Sequence, residues 1–209
     1  MASEAPPGRA GRPWLLERIA TATHGVELLR QKQQLLSREE RRLLRHREDT
    51  EKEWVRACEE ADLWSSRADI LSGTTATRLA GAPYEGCADV TFSWRNTMGV
   101  LHPDEARVSA PDFPAMDRAA LNSAIGPSRD AHVRALEAAA RHAAAESALR
   151  AVETELTTAH RRLRAIEHHR LPTLHEELHS LELRLDEIER EERLVTRWAA
   201  QRQAQGGHP

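Results

Sequence analysis

From Leu15 to Leu71 one stripe of residues recurs at steps of four and three: Leu15, Ile19, Ala22, Val26, Leu29, Gln33, Leu36, Glu40, Leu43, Arg47, Thr50, Trp54, Ala57, Ala61, Trp64, Ala68 and Leu71. Only Gln33, Glu40, Arg47 and Thr50 interrupt its apolar character. A straight α-helix has 3.6 residues per turn, so a stripe held at 3.5 keeps facing a partner only if two helices wind around each other to the left. Pro13 suits the first turn of such a helix, where its missing N–H is not needed. Gly73 offers a left-handed stop. A helix of this span is roughly 90 Å long.

A second stripe occupies the other end of the chain. It reads Ala135, Ala138, His142, Ala145, Leu149, Val152, Leu156, Ala159, Leu163 and Ile166, then Leu171, Leu174, Leu178, Leu181, Leu185, Ile188, Glu192 and Val195. Its helix is expected to open near Ser128 as N-cap, after Gly126-Pro127. The step from Ile166 to Leu171 is five, one residue more than the heptad allows. Pro172 stands at the same place, where it removes an amide and crowds the carbonyl of His168, at a cost of ~3 kcal/mol. A kink or local rewinding is expected there. The Ala-rich stretch Ala138 to Ala148 faces Trp54 and Trp64 if the two helices fold back on each other, so both tryptophans read as knobs against small residues.

Between the stripes, Gly81, Pro83, Gly86, Gly99, Pro103, Pro111, Pro114 and Gly126 interrupt any helix. Val90, Phe92 and Trp94 alternate with Thr91, Ser93 and Arg95 as a half-buried strand does. Asn96-Thr97-Met98-Gly99 is turn chemistry, and Val100-Leu101-His102 can pair back. A short helix is compatible with Ala115 to Ile125. The expected fold is mainly α: a long antiparallel two-helix left-handed coiled coil with a small inserted β-hairpin region. Its parts are a tail over 1–12, a shaft helix over 13–72, an insert over 73–127 with the hairpin at about 88–103, a second shaft helix over 128–200 and a tail over 201–209.

Composition agrees with a rod. Charged residues make up 30% of the chain and aromatics 4%, and Phe occurs only as Phe92 and Phe113, too few large apolar side chains for a compact core. A net charge of −3 disfavours nucleic acid as a partner. Cys58 and Cys87 form neither a metal spacing nor a disulfide framework, which favours a reducing compartment. No run reaches the ~18–20 apolar residues of a membrane span, so direct membrane insertion is not expected.

Three local patterns bear on chemistry. His175-Glu176-Glu177-Leu178-His179 fits H-E-x-x-H, in which two imidazoles one turn apart bind zinc and the carboxylate activates water. A zinc metallopeptidase would also need a third ligand and a walled cleft, whereas this pentapeptide lies inside the Leu171–Ile188 seam, so exposed flank residues are the simpler reading. His168-His169, next to Pro172, is a pH-sensitive spot or, as the simpler reading, an exposed flank. The run Arg38-Glu39-Glu40-Arg41-Arg42, with Arg45 and Arg47, is a solvated mixed-charge face or a docking surface for an acidic partner. No catalytic, cofactor-binding or metal-binding residues are expected.

Several segments resemble, in order, the D subunit of V/A-type rotary ATPases, the central rotor stalk. Trp14-Leu15-Leu16-Glu17-Arg18-Ile19 and Gly25-Val26-Glu27-Leu28-Leu29-Arg30-Gln31-Lys32 are similar to the family's opening. Asn96-Thr97-Met98-Gly99-Val100 with Pro103 is similar to its hairpin segment. Arg161 to Glu167, Leu171-Pro172 and Arg184 to Arg193 resemble its ending. The resemblance implies a non-catalytic shaft without cofactors, cytoplasmic and peripheral to the membrane, which transmits rotation between ATP turnover and ion translocation. It implies as partners the F subunit of the central stalk, the ring of A and B subunits, and the socket formed by the C subunit above the membrane rotor ring. Trp14, Arg18, Asp186, Arg190, Arg193 and Arg197 then become candidates for the tip that contacts the ring. Asn96, Met98, Gly99 and Val100 form the hairpin, and Pro172 marks the shaft kink. A generic coiled-coil adaptor or scaffold is the alternative of a different class.

Overall fold

The computed structural model describes residues 6–75, 87–110 and 123–205. A 3-10 turn, Gly8–Ala10, leads into helix α1, Gly11–Ser72, an unbroken run of 62 residues. Strands β1, Asp89–Thr97, and β2, Val100–Ser109, form an antiparallel two-stranded sheet. Helix α2, Ile125–Ala165, passes through a π turn, Ile166–Arg170, into helix α3, Leu171–Gln205. The fold is thus two long helical runs with a β-hairpin inserted between them. Residues 115–122, where a short helix is compatible with the sequence, lie outside the described residues.

Contacts divide the chain into two compact units, one of Met1–Gln33 with Thr158–Pro209 and one of Gln34–Thr157. In the first, Leu15, Leu174 and Leu181 are buried together, with Trp14, Ile19, Ala22, Leu178 and Leu185 packed on them. Arg12 reaches Glu182 at 3.0 Å and Arg30 reaches Glu167 at 2.6 Å. In the second, Leu36 and Leu43 of α1 pack on Ala148, Leu149, Val152 and Leu156 of α2. Farther along, Arg134 pairs with Glu60 at 2.7 Å, and the Ser65 and Ser128 hydroxyls lie 3.4 Å apart. Within each unit, rising numbers on α1 meet falling numbers on the returning helix, so the pairing is antiparallel.

The seam changes character along the second unit. Beyond Leu43 its buried residues are mostly alanines, including Ala61 and Ala68 on α1 and Ala131, Ala138 and Ala145 on α2. Trp54 does not fill this seam as a knob. It is 37% exposed and lies flat against His142, with ring centroids 5.3 Å apart. Alanine against alanine brings the helices close and leaves no room for an indole between them, which moves Trp54 to the edge. Trp64 is half-buried, with the Arg67 guanidinium 4.7 Å above its ring.

The helix ends follow local chemistry. Gly73 adopts φ +78° and its N–H bonds to the Asp69 carbonyl at 2.8 Å, closing α1. Helix α2 opens at Ile125, earlier than the expected cap at Ser128. The Ser128 N–H already bonds to the Ala124 carbonyl at 2.9 Å, so Ser128 is inside the helix. Pro127 then sits in the first turn, where no amide is required.

Candidate functional site

Among the described residues, arranged side chains occur at the hairpin where it meets α1, at the π turn, and at the ends of the first unit's helices. The hairpin turns at Met98-Gly99, with φ of 53° and 85°. Positive φ at both central residues is the signature of a type I′ turn, whose twist matches that of the flanking strands. The Asn96 side-chain carbonyl accepts the Gly99 N–H at 2.9 Å, fixing the turn. Thr97 pairs with Val100, Asn96 with Leu101, Arg95 with His102 and Trp94 with Pro103. Ser93 then pairs with Glu105, so Asp104 is an extra residue and the register shifts. The break falls beside Pro103, which has no amide to give to the ladder.

One face of the hairpin is docked. Val100 packs against the Leu36–Leu43 cluster, and His102 is 0% exposed. The His102 Nδ1 lies 3.1 Å from the Pro103 carbonyl, which can only accept, so Nδ1 carries the hydrogen. Nε2, 3.2 Å from the Thr97 hydroxyl, accepts in turn. Arg95 and Asp104 pair at 2.8 Å, and Arg42 and Glu39 of α1 pair at 2.6 Å. The Arg42 hydrogen bond chiefly holds the Glu39 carboxyl below its ordinary range, against a burial penalty, with the Arg42 and Arg95 charges acting in the same direction. The opposite face of the hairpin leaves Phe92, Trp94, Met98 and Leu101 exposed.

The π turn holds the residue that the heptad cannot. Leu171 donates its N–H to the Ile166 carbonyl, five residues back. Helix α1 has no matching insertion, so widening one turn of the returning helix keeps Leu174, Leu178 and Leu181 on the same side as Ala159 and Leu163. Thr173 adds a side-chain hydrogen bond to the His169 carbonyl at 2.7 Å. His168, His169, Arg170 and Pro172 are exposed.

At the start of α1, the Arg18 guanidinium lies 4.5 Å above the Trp14 ring. These two residues, with Glu17, Thr21, Gly25 and Arg170, line a shallow groove. On α3, Arg190 and Arg193 pair with Glu187 and Glu189 on their own helix, and Asp186 and Arg197 are exposed. Sequence periodicity carries the seam on to Ile188 and Val195, but both are exposed, Val195 at 68%. Gly11 and Arg9 lie against Leu181 and Glu192, so α3 runs on past the start of α1 to Gln205. Leu194 and Trp198 are exposed beside Val195. The candidate tip therefore carries an apolar stripe as well as the mixed charges visible in the sequence.

His175, Glu176 and His179 are exposed on α3, with Leu174 between them and α1. Among the described residues no group of three or more His, Cys, Asp or Glu side chains is placed to hold a metal ion. No helix among them is long and apolar enough to cross a membrane.

The family profile described as the D subunit of ATP synthase matches residues 15–200. The chain belongs to that family. It is similar to the A-type ATP synthase D subunit of Halorubrum lacusprofundi, 29% identical over 195 residues, which span 92% of this chain and 86% of that protein. The protein of the same name from Halobacterium salinarum is also 29% identical, over 92% of this chain and 87% of its own length. That of Methanopyrus kandleri is 28% identical over 179 residues, 85% of this chain and 77% of the relative. The D-subunit family match includes both long helices, the hairpin and the π turn.

Sequence reading missed the docked side chains. His102, Glu39 and Arg42 come from the hairpin and from α1, and no local spacing announces that they meet. The hints were His102 within an otherwise strand-like stretch and the Arg38–Arg42 charge run, in which Glu39 and Arg42 stand three apart on α1.

Proposed function

We propose that this chain is the central rotor shaft of a V/A-type ATPase, a non-catalytic subunit that carries rotation between ATP turnover in the catalytic ring and ion translocation through the membrane ring. The observation that carries this reading is the D-subunit family match over both long helices, in a chain whose helices pair antiparallel within each unit. Two paired helices resist twist and bending better than one, which suits a part that transmits torque. The far end of α3 together with the Trp14–Arg18 turn enters the ring of A and B subunits. The F subunit and the C-subunit socket bind permanently nearer the hairpin end. The protein works in the cytoplasm, attached to the membrane through its complex.

The test is a reconstituted complex that contains the chain truncated before Asp186, assayed side by side for ATP hydrolysis and ion pumping. Hydrolysis that continues with pumping lost, while the F subunit stays bound, is the expected result. Full coupling with the truncated chain removes the case that this segment transmits torque.

A further inference from the structure

We propose that the π turn at Ile166–Arg170 is a torsional joint in the shaft, the turn at which twist between the segments on either side is taken up. This rests on the rotor reading for its purpose, though not for its structure. Behind it stands one backbone arrangement: with Leu171 bonded to Ile166 and Pro172 next, neither the α nor the π register supplies an amide to the Glu167 carbonyl. The Leu171 amide, which an α-helix would give to the Glu167 carbonyl, goes to Ile166. The next amide along the chain does not exist, because residue 172 is proline. That missing amide would serve His168 in the α register and Glu167 in the π register, so the Glu167 carbonyl is the one left without a backbone donor. Exposure of His168 and His169 lets water reach this edge. A helix turn bonded this sparsely bends and rotates more easily than the α-helix on either side.

The joint cannot close by itself. Returning the turn to α geometry would push the extra residue into α3 and rotate its stripe by about 100° relative to α1. Leu174 and Leu181, both buried, would then leave the seam. The π turn is therefore held by the packing of Leu174 and Leu181 on α1, and Pro172 removes the amide with which it could tighten. The Arg30–Glu167 ion pair, at 2.6 Å, ties the loosened turn to α1 and limits how far it moves. Gly25, a helical glycine with no heavy atom within 4 Å of where a Cβ would stand, lines the same groove as Ile166 and Arg170.

The extra residue can be removed without disturbing the stripe. Deleting His169 and introducing Pro172→Ala gives a continuous α-helix with the stripe in phase on both sides, since Ile166 and Leu171 are then four apart. The readout is the resting angular variance of a bead on the shaft, in a reconstituted complex whose ring is locked by a non-hydrolysable nucleotide. The variance should fall at least about two-fold in this variant and stay unchanged in His169→Ala, because one turn regains its hydrogen bonds. Equal variance in the deletion variant and the original chain overturns the joint. Amide hydrogen exchange on the full chain gives a second measurement that does not need assembly. Pro172→Ala alone should slow exchange across 168–173 at least about tenfold, and unchanged exchange also overturns the proposal. A complex with the unaltered chain that hydrolyses ATP without rotating would count against the rotor reading and leave the exchange result standing.

Discussion

The rings of Trp54 and His142 lie face to face across the paired helices, centroids 5.3 Å apart and planes 18° from parallel. The His142 Nδ1 also lies 3.3 Å from the Thr50 hydroxyl. That hydroxyl has one hydrogen, directed at the His46 and Arg47 carbonyls at 3.0 Å each, so His142 Nδ1 is the donor. Thr50 and His142 make a polar step in a seam of small side chains, and Trp54 stacks on it from the edge. A double-mutant cycle on Trp54→Ala and His142→Ala should give a coupling of about 0.5–1.5 kcal/mol in urea unfolding, the range for stacked rings. Additive single effects would mean that the stack contributes only burial.

Two glycines in α1 should respond in opposite directions to the same change. A Cβ at Gly11 would stand 2.4 Å from the Pro6 carbonyl oxygen and 3.0 Å from Leu181, so the chain entering the helix must shift. At Gly25 it would meet nothing within 4 Å. Gly25→Ala should therefore stabilise the isolated protein by about 0.5–1 kcal/mol, through the entropy of the unfolded chain. Gly11→Ala should destabilise it despite the same propensity gain. Thermal unfolding of the two variants side by side checks both signs.

Acid should loosen the hairpin. The Glu39 carboxyl has its pKa lowered, mainly by the Arg42 hydrogen bond. A lowered carboxyl contributes stability that is present above its unfolded-state pKa and is lost as pH falls through the folded-state value. Protonation at acid pH should thus weaken the ion pair beside the docked hairpin, by about 1 kcal/mol or less, since solvent reaches Arg42 and screens the pair. Hydrogen exchange at Val100–Asp104 against pH should show faster opening on the acid side. Glu39→Gln should flatten that slope and open the hairpin at neutral pH as far as acid opens it in the original chain.

The fold was legible because a 3.5-residue stripe states both the helix and its need for a partner. The step of five between Ile166 and Leu171 could be counted in the sequence, but counting does not decide between a bend and a π turn. That choice depends on α1 running past the insertion without one of its own. Polar interruptions of the stripe were visible without their fates. Thr50 is buried and bonded, whereas the buried Gln33 Nε2 has no hydrogen-bond partner among the described residues. The docking of the hairpin was beyond local reading, because His102 and Glu39 are distant in sequence and the charge run around Glu39 does not say what it meets. Ser128 misled for a related reason: a good capping side chain does not cap when the amide two residues past Gly126 already bonds to Ala124.

The apolar stripe at the end of α3 has no cover among the described residues. Leu194, Val195 and Trp198 are exposed, Trp198 at 69%. Side chains left in solvent add little to stability, and surface substitutions of this kind usually cost within about 0.5 kcal/mol. A triple change, Leu194→Gln, Val195→Thr and Trp198→Gln, should leave the melting temperature of the isolated protein nearly unaltered. If this end is the part seated in the ring, the same change should weaken its binding to the assembled A and B subunits at least about tenfold, since each apolar side chain buried at an interface is worth about 1.5 kcal/mol or more. Reversing the charges at Arg190 and Arg193, which already pair on their own helix, should have a smaller effect that fades with added salt. Pull-down of the ring by each variant separates the two contributions. Equal loss from both would assign the seating to charge, and no loss from either would place the ring contact elsewhere on the chain.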